Sequence, residues 1–198
     1  DTFGQTVALG GTPEQVEASR ARMLPLARRL TLPPGSYTVE LVVRDVVGDK
    51  SSAKRLALAV PTPEGALAMS SLVVVGAVEP ADPKSDPTDP LRLADQRIVP
   101  NLGQPVAAAP GATLPIYYTV YVKPGGQDAV TATVEVSREG RVVARGSSPL
   151  PPPDAAGRIS GLSPIPLQKL QPGTYDVKVT VSKPGLSAEE TTTVTVGS

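Results

Sequence analysis

Residues 32–45 read LPPGSYTVELVVRD and residues 170–183 read LQPGTYDVKVTVSK, so one pattern of turn and alternating strand is written twice in a single chain. Leu32, Pro34, Gly35, Tyr37, Val39 and Val43 match Leu170, Pro172, Gly173, Tyr175, Val177 and Val181. Each match has a structural use. The leucine ends an incoming strand in a core, and Pro-Gly makes a crossing turn. The residues that follow alternate with the period of two that gives a strand one buried face. Tyr37 and Tyr175 stand where a tyrosine buries its ring while its hydroxyl reaches the preceding loop backbone. Such a repeat marks either two domain ends of one design or a turn preference shared by two unrelated hairpins.

The composition suits the first alternative. With 40% apolar residues but one Phe, five Tyr and no Trp, the cores must be built from Val, Leu, Ile and Ala, whose β-branched members pack well on pleated sheet. The 23 Pro and 18 Gly are interspersed with apolar runs, which makes them turn punctuation and not a disordered tract. Nineteen basic residues cancel nineteen acidic ones, so no counter-ion release favours nucleic acid and no net charge favours an anionic membrane. Neither nucleic acid nor membrane insertion is expected. The chain has no Cys and no His, which removes disulfides, thiolates, the commonest general base and a common transition-metal ligand.

Along the chain, QTVAL at 5–9 has the pattern of a short strand, and Gly10-Gly11 of a turn. Thr12, Pro13 and Gln15 then supply an N-cap, a first helical residue and a capping box, which predicts a helix near 13–23 that Pro25 ends. The first repeat follows as a strand, a polar loop over 45–52 and a returning strand at 56–60. The prolines of PTPEG and the residues after it make 61–69 a linker, and a second domain is expected over 70–198. Its strands are expected at 70–76, near 96–99, and at 113–122, 129–137, 141–146, 174–182 and 188–196, with a Pro/Asp-rich passage after the first and a proline-interrupted extended segment over 159–170. The Arg-Glu-Gly at 138–140 makes a hairpin. Seven or so short strands with turns between them predict two antiparallel sheets packed as a sandwich.

In immunoglobulin-like sandwiches a tyrosine near the start of the penultimate strand forms the tyrosine corner. The expected architecture is thus all-β: tandem immunoglobulin/fibronectin-type sandwiches, the first (1–60) incomplete and carrying the short helix. Upstream of Tyr175 lies enough chain for a full sandwich, whereas only 36 residues precede Tyr37. A sheet without its partner exposes its inward face and its edges. Either upstream strands belong to the parent protein and not to this chain, or a neighbour supplies them by strand addition to residues 1–60.

TPEQ at 12–15, ARRLTLPPGSYTVELVVRD at 27–45, GDKSSA at 48–53, AVP at 59–61 and GALAMSSLVVV at 65–75 together resemble the region downstream of the von Willebrand A-like domain in bacterial secreted "VWFA-related" proteins. The resemblance covers about residues 12–76. It implies export to the cell exterior, surface or periplasm, and β-sandwich modules placed after another domain. It implies no activity for this part. The Asp-x-Ser-x-Ser metal motif of the A-like domain is absent here, so metal-dependent adhesion does not carry over.

Few other residues have the chemistry of a site. Asp82, Asp86 and Asp89, with Glu79 nearby, supply the oxygen ligands Ca²⁺ takes, but their spacing is not that of an EF-hand, and a solvated loop is the plainer reading; otherwise no cofactor is expected. Tyr117 and Tyr121 share one strand face and suit either sugar stacking or ordinary cross-strand packing, while Tyr118 points to the core with Leu114, Ile116, Val120 and Val122. Arg20, Arg22, Arg28 and Arg29 make a local basic patch that reads as a solvated helix surface. No G-x-S-x-G elbow and no marked carboxylate pair is present, so no enzyme is expected. The expected function is a structural or protein-interaction module of a bacterial extracellular protein, such as a filament subunit. The alternative is a carbohydrate- or protein-binding accessory domain.

Overall fold

The computed structural model describes residues 2–8, 10–20, 28–62, 65–82, 89–109, 111–123, 128–168 and 170–197. The chain divides into two compact units, Asp1–Thr31 and Leu32–Ser198. This division lies earlier than the linker expected over 61–69.

In the first unit, helix α1 spans Pro13–Arg20. Its start is fixed by a reciprocal cap: the Thr12 amide donates to Gln15 Oε1 (3.0 Å) and the Gln15 amide donates to Thr12 Oγ1 (3.4 Å). Residues 21–23 of the expected helix, and Pro25, lie outside the described residues. The strand expected over 5–9 is not formed across 5–8. A strand needs a hydrogen-bonding partner, and the described part of this unit contains no other strand. The Arg28 guanidinium instead lies 4.8 Å from the centre of the Phe3 ring.

The regular elements described in the second unit are all strands. β1 (Gly35–Asp45) and β2 (Lys50–Val60) form a two-stranded antiparallel hairpin. The remaining strands are β3 (Leu67–Met69), β4 (Val73–Pro80), β5 (Arg92–Leu93), β6 (Gln96–Pro100), β7 (Val106–Ala107), β8 (Thr113–Val122), β9 (Thr131–Arg138), β10 (Arg141–Pro149), β11 (Arg158–Pro166), β12 (Gly173–Lys183) and β13 (Leu186–Gly197). They build two sheets. One runs β10-β9-β12-β13-β7, with β7 parallel to β13, and the other runs β11-β8-β4-β6-β5, with β3 also paired to β8. The result is an all-β, sandwich-like arrangement of two sheets, with one short helix among the described residues.

Alternation explains the core. Tyr175, Val177, Val179 and Val181 of β12 face Leu114, Ile116, Tyr118 and Val120 of β8 across one buried cluster. Residues 67–69, at the end of the expected 61–69 linker, form β3, and Leu67 is in that core. Strand β8 is buried on both faces over most of its length. Its second face carries Tyr117, which packs with Val75 and Ile98 in a smaller cluster. Glu139 and Gly140, both at positive φ, make the two-residue turn from β9 to β10. No helix among the described residues is long and apolar enough to cross a membrane.

Candidate functional site

The two copies of the repeated sequence fold into hairpins of the same build. Each first strand has eleven residues and pairs with an antiparallel return: Gly35 faces Val60 and Tyr37 faces Leu58 in one, while Gly173 faces Val196 and Tyr175 faces Val194 in the other. Gly35 and Gly173 have φ of 156° and 149°, a region that a side chain rarely tolerates, so both turns require glycine. The Tyr37 hydroxyl donates to the carbonyl of Pro33 at 2.7 Å, and the Tyr175 hydroxyl donates to the carbonyl of Gln171 at 2.7 Å. Both bonds reach back four residues. They lock the turn against the strand that follows it.

The copies differ in what surrounds them. Strand β12 has β13 on one edge and β9 on the other, whereas β1 has only β2 among the described strands. The apolar face of β12 is sealed, with Val179 fully buried. The matching face of β1 is open: Tyr37 and Val39 are half-buried, and Leu41 and Val43 are 47% and 64% exposed. Leu56 and Leu58 of β2 extend the same open face. Arg138 of β9 also covers the second tyrosine turn. Its guanidinium lies 5.7 Å from the Tyr175 ring and donates to the Pro172 carbonyl at 3.4 Å. A lone hairpin with an open apolar face gains little from burial, which is what strands normally depend on.

Charge is arranged on the opposite face of the first hairpin. Glu40 Oε1 pairs with Arg55 Nε at 3.2 Å across the two strands, and Arg44 pairs with Asp49 at 3.2 Å near the turn. Asp45 Oδ1 accepts the amides of Val47 and Gly48, each at 3.0 Å. Those two bonds, that from Gly48 first, hold the Asp45 carboxyl below the ordinary carboxylate range. Glu40 and Arg44 were not singled out from the sequence. The signal that marks them is their place on one face of a strand, two rungs either side of Val42.

The other residues considered from the sequence are dispersed. Tyr117 is 3% exposed and its hydroxyl donates to the Pro90 carbonyl at 2.8 Å, so it forms no exposed aromatic pair with Tyr121. The Pro/Asp-rich passage carries β6, where a strand is expected near 96–99, and the additional short β5 over that ring. Tyr121 is 44% exposed beside a shallow recess of about 380 Å³ shared with Gly65, Ala68 and Lys123. Asp86 lies outside the described residues. Asp89 Oδ1 accepts the Leu91 amide at 3.0 Å, which gives that carboxylate a turn-forming use. Among the described residues, no three His, Cys, Asp or Glu side chains are grouped to hold a metal ion.

A groove of about 470 Å³ between β4 and β13 is lined by Leu72, Leu91, Asn101 and Thr193 among others. The Asn101 amide is already engaged, accepting from the Gln104 amide at 2.7 Å and donating to its carbonyl at 3.0 Å. Among the described residues, the groove lining is hydroxyl, amide and apolar, with no charged side chain. No family model matches the chain, and no curated protein matches it.

Proposed function

We propose that this chain is a structural, protein-interaction module of the bacterial cell exterior, in which the first hairpin is one part of an immunoglobulin- or fibronectin-type sandwich completed by strand pairing with a neighbour. A single observation supports the reading. Two hairpins of one sequence pattern, with the same eleven-residue first strand, glycine turn and tyrosine bond, differ in that one is packed and flanked while the other is open on its apolar face and on an edge. The packed copy illustrates how such a hairpin is satisfied: by a strand along its edge and a sheet over its face. The cell-exterior location rests on the resemblance of residues 12–76 to exported proteins.

The test is whether the hairpin takes up a strand. Light scattering across a concentration series reports self-association, and binding of a fluorescent strand peptide reports uptake from another source. A chain that stays a 20 kDa monomer and binds no strand peptide overturns the proposal.

A carbohydrate-binding accessory role is the second reading, and it is favoured by Tyr121, an exposed aromatic beside a recess that also holds Lys123. Glycan-array binding that disappears in Tyr121→Ala would support it, and a blank array in the native chain removes it.

A further inference from the structure

We infer that the strand completing the edge of β1 is β1 of a second copy of this chain, paired antiparallel about a two-fold axis at Val42. The inference rests on the proposed reading of the hairpin as an acceptor of strands and names its partner.

The packed copy specifies what the edge requires. Strand β9 lies along β12 with Val136 opposite Val177, Val134 opposite Val179 and Ala132 opposite Val181. Between them Glu135 stands opposite Lys178, and their charged groups are 3.6 Å apart. Transferred through the repeat, the apolar positions become Val39, Leu41 and Val43, and the place of Lys178 is taken by Glu40. The sign of the charge is reversed. A strand in the place of β9 must therefore bring a basic residue opposite Glu40, with apolar residues beside it.

β1 itself meets that requirement. With Val42 on the axis, Arg44 of each copy falls opposite Glu40 of the other, and Val43 falls opposite Leu41. Partners then share the parity of their residue numbers, so both copies present the same set of edge amides and carbonyls. Neighbouring registers fail on charge: an axis at Glu40 opposes two glutamates, and an axis at Leu41 sets Glu40 against Val42. The in-chain pairs extend the pattern, because Arg55 already holds Glu40 and Asp49 already holds Arg44. Across the joined four-stranded sheet the order becomes Arg55, Glu40, Arg44, Asp49, alternating in sign from copy to copy. Asp45 falls opposite Val39 at the end of the pairing, where its carboxylate is already held by the turn amides.

Charge-swap variants of the full chain test this by light scattering. The native chain is expected to dimerise. Glu40→Arg alone and Arg44→Glu alone each place two pairs of like charges in register and should weaken the dimer roughly tenfold or more. An equimolar mixture of the two single variants restores opposite charges at both rungs and should dimerise again, as should the double variant E40R/R44E. Circular dichroism of each variant checks that the sandwich is intact. Dimers unaffected by the single variants, or single variants that stay monomeric on mixing, overturn the β1 pairing.

A peptide of residues 131–138 carrying Glu135→Lys separates the two levels of the proposal. If the native chain is monomeric but binds this peptide, the second copy is the wrong partner and the hairpin remains a strand acceptor. If it is monomeric and binds no peptide, both fail.

Discussion

At the scale of single residues, close approach and burial decide more than residue type does. Gly161 of β11 pairs with Tyr118 of β8, and the tyrosine ring lies where a Cβ on Gly161 would be. Gly161→Ala forces that fully buried ring aside and should destabilise the sandwich by about 1–3 kcal/mol in denaturant unfolding. The Tyr118 hydroxyl, 2.9 Å from Ser163 Oγ, sits where burial raises its pKa, so it stays neutral and serves as a structural bond. Matched positions of the repeat give a sharper contrast. Val179→Ala empties core space and should cost about 2 kcal/mol in denaturant unfolding, whereas Leu41→Ala at the equivalent place should change the unfolding free energy of the monomeric chain by less than about 0.5 kcal/mol. The alternation of the two stretches does not carry that difference. LPPGSYTVELVV and LQPGTYDVKVTV carry the same alternation, and alternation states which face is apolar without stating whether anything covers it.

At the scale of elements, the turns were the most readable parts. The capping box at Thr12 and Gln15, the Glu139-Gly140 turn and both Pro-Gly-x-Tyr turns follow from local chemistry that needs few long-range contacts. Short strands were less so. β3, β5 and β7 have two or three residues each, too few to show a period, and they exist because a longer neighbour offers its edge. The hairpins should also differ in dynamics. In the monomeric Glu40→Arg variant, amides of β1 and β2 should exchange with solvent orders of magnitude faster than those of β12, which is hydrogen-bonded on both edges in a dry core. Equal protection of the two hairpins, read by hydrogen exchange, would contradict this. Asp45 gives the first hairpin a pH dependence. Its carboxyl is held below its ordinary value by the Gly48 and Val47 amides, so the turn is supported above the ordinary carboxylate pKa and loses that support as pH falls through the lowered one. Chemical shifts of the Val47 and Gly48 amides should titrate over that acidic window, and Asp45→Asn should abolish the step.

At the scale of the whole molecule, two sheets close on each other while one hairpin does not join them. The Pro/Asp-rich passage illustrates how tertiary structure completes a local pattern: β6 inserts between β4 and β5, Ile98 becomes fully buried, and Tyr117 packs against it, which separates it from Tyr121. The acidic triplet shows the same limit, since Asp89 is used by its own turn. By itself the sequence determined the strand class, through β-branched residues at a period of two, and the turns, through Pro, Gly and Tyr at fixed offsets. It also determined that two hairpins are built alike, because the residues that set φ, the corner bond and the register are local. Only the tertiary structure decided what covers the second hairpin, β9 along its edge and β8 across its face, since burial depends on residues far apart in the chain. The first hairpin kept its shape through the eleven-residue register and the Tyr37 bond, and was left with an apolar face, an open edge and the Glu40 and Arg44 charges facing solvent.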